Sequence, residues 1–137
     1  MGAQGVRGRA VAVPLALLAV GAAAVAYVGA VDPNEAGHYP VCPFLALTGL
    51  ACPGCGGLRM THALVHGRIA EAVGLNALAF ALIPVTAYLW VLWTVASVRG
   101  TPVRTGLGNR WAIFALTGAI LVFWVVRNLP FGQALAP

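Results

Sequence analysis

Lysine is absent from these 137 residues, acidic side chains number three (Asp32, Glu35 and Glu71), and charged residues of every kind make up only 8%. A soluble domain ordinarily carries about 25% charged residues, so this chain lacks the polar surface that a water-exposed globule of its size requires. Its positive charge is carried by eight arginines that bracket apolar segments instead of clustering on one face. That distribution argues against a nucleic-acid surface and suits residues that orient membrane spans. Cysteine is scarce too, at three, and no paired carboxylates or Ser/His/Asp constellation offers acid–base or nucleophilic catalysis. A non-enzymatic role is therefore the expectation.

What the chain has in quantity is apolar sequence, at 61%. At about 1.5 Å rise per residue and a hydrocarbon core of about 30 Å, three runs are long enough to cross a bilayer. They cover residues 10–31, 76–98 and 111–129. The first follows Arg7 and Arg9, and a basic start before an apolar run also describes a secretory signal, with Val28-Gly29-Ala30 as the cleavage site. The run exceeds the usual signal core of about 7–15 residues, so a retained helix is expected, with Pro14 in its first turns. Pro84 is expected to kink the second. Arg127 interrupts the third and needs a partner, for which Glu71 or Glu35 is the expectation.

Arg7 and Arg9, together with Arg99, Arg104 and Arg110, place the N-terminus and the second connection in the cytoplasm. The loop 32–75 and the C-terminus then lie outside. Trp93 and Trp111 near the inner boundary, and Tyr27 and Trp124 near the outer one, agree. The predicted fold is an all-α integral membrane protein, one membrane domain over 1–137, with three transmembrane helices and an amphipathic interfacial helix in a cysteine-rich outer loop. That helix is read from Leu58, Val65, Ile69 and Val73 at helical spacing, with Arg59, His62 and His66 on another side.

Chemistry concentrates in the loop. Cys42, Cys52 and Cys55 are spaced C-x9-C-x2-C, with Cys52-Pro53-Gly54-Cys55-Gly56 at the centre. A C-P-x-C-G string has the shape of a zinc knuckle, in which a tight turn aims two thiolates at one ion and glycine admits backbone amides to the sulfurs. Cys42 then supplies a third ligand, with His38 or His62 as the fourth. The competing chemistry is thiol–disulfide exchange, with Cys52 attacking, Cys55 as its pair and Cys42 as relay; an outside location favours disulfides. The plain alternative is a metal or disulfide that staples a loop too small to build its own core. Arg59 is placed to steady a thiolate or a phosphate headgroup.

Cys42-Pro43, Thr48-Gly49, Cys52-Pro53-Gly54-Cys55-Gly56, Arg59, Gly67 and Asn76, with Arg127-Asn128 near the end, resemble the small bacterial membrane proteins grouped as domain of unknown function 2752. Leu58 stands where that family often has threonine, and Arg68 where it often has an acidic residue. The resemblance implies a bacterial plasma membrane and no established activity. The resulting expectation is a multi-pass membrane protein of unknown process whose outer loop presents a surface to a membrane protein partner or a second copy of itself. A membrane thiol–disulfide oxidoreductase, or an accessory to one, is the alternative.

Overall fold

The computed structural model describes the backbone of residues 3–102 and 109–135 and the side chains of 11–102 and 109–132. Arg104 and the side chains of Arg7 and Arg9, used above for orientation, lie outside the described residues. Among those residues all regular structure is helical: α1 (Ala3–Ala30), α2 (Pro43–Thr48), α3 (Gly57–Val65), α4 (Ile69–Leu75), α5 (Ala77–Arg99), α6 (Arg110–Arg127) and a closing 3-10 helix, Pro130–Leu135.

Three segments are long and apolar enough to cross a membrane: Val11–Ala30, Ala77–Arg99 and Arg110–Arg127. These match the expected runs with three adjustments. The first helix begins earlier than its apolar run, so Pro14 lies inside α1 instead of in its first turns. Pro14 is fully buried, and its carbonyl accepts from the Trp90 indole of α5 at 3.3 Å, which helps hold the first two spans together. Asn76 is not part of the second span but its N-cap, accepting from the Ala79 amide at 2.9 Å. The third helix stops at Arg127, because Pro130 disfavours helical backbone at Leu129 and a 3-10 turn takes over.

The loop departs further from expectation. The single amphipathic helix read over 58–73 is two helices, broken where Gly67 adopts φ +74°, a left-handed conformation that side chains disfavour. The Arg68 amide closes the break by donating to the Ala63 carbonyl at 2.8 Å. The fold lets α4 turn back on α3, and Met60, Ala63 and Ala72 are buried between them, with Leu64, Leu75, Ala79 and Phe80 packed around. This small core sits at the head of α5, whose own spanning segment is 0% buried.

α3 is also locked to the end of α1. Buried His62 donates from Nδ1 to the Val28 carbonyl at 2.8 Å, and Gly29 leaves just enough room for Val65. Asp32-Pro33-Asn34 makes the turn its sequence predicts: the Asn34 amide donates to Asp32 Oδ1 at 2.8 Å, and that bond chiefly holds the Asp32 carboxyl below its ordinary range.

Candidate metal centre

The Cys52–Cys55 turn is closed by the Cys55 amide, which donates to the Cys52 carbonyl at 3.1 Å. The Cys52 amide in turn donates to Cys55 Sγ at 3.2 Å, a bond that favours the thiolate but is outweighed by the burial of Cys55. Gly56, at φ +81°, then turns the chain into α3. Cys42 immediately precedes α2, whose Pro43 is pre-set for a first helical position; Gly49 ends α2 in a left-handed cap. The chain thereby doubles back and brings Cys42 onto the turn.

Cys42 Sγ lies 3.7 Å from Cys52 Sγ, and Cys52 Sγ lies 3.1 Å from Cys55 Sγ. All three sulfurs fall within 4.8 Å of one another. A tetrahedral zinc with Zn–S bonds of about 2.3 Å sets its sulfurs about 3.8 Å apart. Cys42 and Cys52 already stand at that spacing. Cys52 and Cys55 are closer, yet well beyond the disulfide length of about 2.05 Å. The three sulfurs form one face of a metal tetrahedron with little rearrangement.

Three polar side chains, none of them a ligand, grip this turn. Arg127, 2% exposed, reaches from the end of α6 and donates through one terminal nitrogen to the carbonyls of Cys52 at 3.0 Å and Cys55 at 3.1 Å. Asn76, fully buried, donates to the carbonyls of Pro53 at 2.9 Å and Cys55 at 3.1 Å while its oxygen caps α5. Asn128 clamps the preceding residue: its oxygen accepts from the Ala51 amide and its nitrogen donates to the Ala51 carbonyl, both at 2.9 Å. Phe44 of α2 packs edge-on against Trp124 of α6, centroids 5.8 Å apart. The loop and the end of the third span are thus one assembly.

The partner expected for Arg127 is corrected. Glu71 pairs with Arg68 at 3.0 Å and Glu35 approaches His38 Nδ1 at 3.4 Å, because each carboxylate has a nitrogen-bearing side chain three residues away on its own segment. Arg127 is satisfied in part by backbone carbonyls and by the face of Phe123, 5.0 Å from its guanidinium carbon. Its Nε and second terminal nitrogen are buried without a hydrogen-bond partner among the described residues. A buried guanidinium with no carboxylate is costly unless negative charge lies close by.

The thiols are not equivalent. The backbone amide of Leu45, followed by the Cys55 thiol, pulls Cys42 below the ordinary thiol range. Burial, followed by the Cys52 thiol, pushes Cys55 up to about 12. Without an ion the group therefore holds protons that a metal must displace.

The other residues singled out from the sequence fall apart from the sulfurs. His62 is committed to Val28 and approaches Asp32, its Nε2 3.9 Å from a carboxylate oxygen. His66 stacks on His62 at 4.3 Å and bonds the His62 carbonyl. Among the described residues the group able to hold a metal contains the three cysteines and neither His38 nor His62. Arg59 is exposed and lines a cavity of about 470 Å³ whose wall also includes Cys42, Cys52, Cys55, Tyr39 and Leu45. Sequence reasoning had the sulfurs and Arg127 but gave Asn76 and Asn128 no part in the site. The signal was available: an asparagine directly before a span, and one directly after, is a polar residue where a bilayer would otherwise have none.

Residues 42–90 match the family model described as protein of unknown function (DUF2752), which spans the cysteine turn, α2 to α4 and much of α5 and leaves the first and third spans outside. No curated protein and no solved structure matches the chain.

Proposed function

From the premise that residues 42–90 carry the domain of unknown function 2752, we propose that this chain is a single membrane domain, in a bacterial plasma membrane, whose extracytoplasmic loop folds around a zinc ion held by Cys42, Cys52 and Cys55. The observation that carries this reading is the convergence of three sulfurs with no disulfide-length contact. The ion fastens α2 to the Cys52–Cys55 turn, and the turn's carbonyls, through Arg127 and Asn76, fasten both to α5 and α6. The role is structural first: it gives a short loop the fixed shape that its small core alone does not supply.

That shape has an outward use. Val41, 72% exposed, and Leu47, 86% exposed, stand beside the centre on the same loop. Apolar side chains so placed suit the bilayer interface or a membrane protein partner resting there. Metal analysis of detergent-purified protein tests the core of the proposal: close to one zinc per chain is expected, falling to a small fraction in Cys52→Ser. A metal-free unmutated protein would count decisively against it. Labelling of Cys42 by an impermeant thiol reagent in intact cells, after chelation, tests the outside location, and protection there would invert the topology.

One observation favours a second reading. Cys52 and Cys55 sit 3.1 Å apart, near enough to join on loss of two electrons and two protons to an external disulfide. Thiol–disulfide exchange would then run through Cys52 attacking with Cys55 as its pair, and Cys42, whose thiol is pulled below its ordinary range, would pass the exchange on as relay from 3.7 Å away. Cysteines that remain reduced in cells under oxidising challenge would remove this alternative.

A further inference from the structure

We infer that the metal centre is incomplete from within the chain, and that its fourth position opens on the neighbouring cavity and takes the thiolate of a small anionic thiol. This rests on the zinc reading above.

Three features meet at one place. Among the described residues the donor set stops at three sulfurs, and the nearest alternatives are engaged elsewhere: His62 on Val28 and His38 beside Glu35. All three cysteines line the cavity of about 470 Å³. That volume is within the usual range of about 300–1,000 Å³ for small-molecule sites. A tetrahedral site with three protein ligands and an open position is the arrangement that binds an outside molecule. A centre made of thiolates prefers another soft donor, so sulfur is the matching chemistry.

Charge sets the rest. A divalent ion with three thiolates carries one negative charge, and Arg127, buried against the turn with two nitrogens unpartnered, supplies the matching positive one. A fourth thiolate adds a second negative charge. Arg59, exposed on the cavity wall and in no ion pair among the described residues, is placed to receive an anionic group on the incoming molecule. In the binding step a thiol sulfur forms the new bond to the metal, a solvent ligand leaves, and the thiol proton passes to bulk water. No electrons are exchanged.

The test uses full-length protein in detergent loaded with cobalt, whose sulfur-to-metal charge-transfer absorption reports thiolate ligands directly. Mercaptoethanesulfonate is titrated in, with isethionate, its hydroxyl counterpart, as control. Saturable growth of the band by about one third is expected, as three sulfur ligands become four, with no response to isethionate. Arg59→Gln should weaken the response about tenfold while leaving the response to neutral mercaptoethanol in place. A thiol carried on a bulky protein, too large for the cavity, should give none. A cobalt spectrum indifferent to the small thiol, or changed by His38→Ala or His62→Ala instead, would overturn the open position. Absence of any charge-transfer band would overturn the metal reading itself, so the two failures are told apart.

Discussion

The three spans and the cysteine loop are built on opposite principles. The spans are long and apolar and scarcely buried by the rest of the chain, with at most 11% of each apolar window covered. Their side chains, such as Val20, Phe114 and Val122, face outward, as lipid-solvated groups do. The loop, with the Arg127 that α6 sends against it, gathers buried groups of both kinds: Ala63, Ala72 and Asn76 are fully buried, as is almost all of Arg127. Where lipid is the solvent, apolar length suffices to make a helix. A short loop at the end of such helices needs specific polar contacts, and each span end contributes one: Val28, Asn76, Arg127.

The strongest way to break this contrast is at Asn76. Asn76→Ala removes the N-cap of α5 and two bonds to the turn, and should cost about 2–4 kcal/mol, read as earlier thermal unfolding in detergent. An effect no larger than that of a span residue would erase the distinction. Gly132→Ala comes next. An added Cβ there collides with the Val126 carbonyl, so the closing turn must detach from α6, and faster protease cleavage after Leu129 is the readout. Asn128→Ala loses both bonds to Ala51 and should cost about 1–2 kcal/mol, with alkylation of Cys52 accelerated while α1 and α5 stay folded. At the bottom of the scale, Val122→Ala, 63% exposed on α6, should change unfolding by less than about 0.5 kcal/mol. A large loss there would reveal a packed partner on that face.

Acidity sharpens the same contrast. Because Cys55 is pushed up to about 12 from a usual value of 9.0, the folded metal-free loop keeps a proton that the unfolded chain releases. Its contribution to stability is complete below pH 9 and is lost as pH rises toward 12. Metal loading acts in the other direction, since the ion must displace that proton, so affinity falls as pH falls. Chelated protein should thus lose loop structure toward alkaline pH, and loaded protein should lose metal toward acid pH. The spans, followed by far-UV circular dichroism, should be indifferent to both.

What could be read from the sequence divides along the same line. The spans were legible because apolar run length is a local property, and their ends shifted by only a few residues where Pro130 and the Asn76 cap intervened. The convergence of the sulfurs was legible as a spelling, because C-P-x-C-G turns on itself. The break at Gly67 was not, since the apolar spacing of Leu58, Val65, Ile69 and Val73 runs through it and only the backbone angle reveals it. The pairing of Arg127 was misjudged because charge complementarity points to a carboxylate, whereas backbone carbonyls, invisible in a sequence, do much of the work. Asn128 meeting Ala51 joins residues far apart in the chain, and no local pattern carries that.

Differential alkylation in native membranes, with mass spectrometry of all three cysteines before and after a chelator and before and after a reductant, tests the centre most directly. Cys42, Cys52 and Cys55 should resist the reagent until the chelator is added and then react together, with reductant making no difference. Cysteines that react at once, or that are released by reductant and not by chelator, would contradict a metal-built loop.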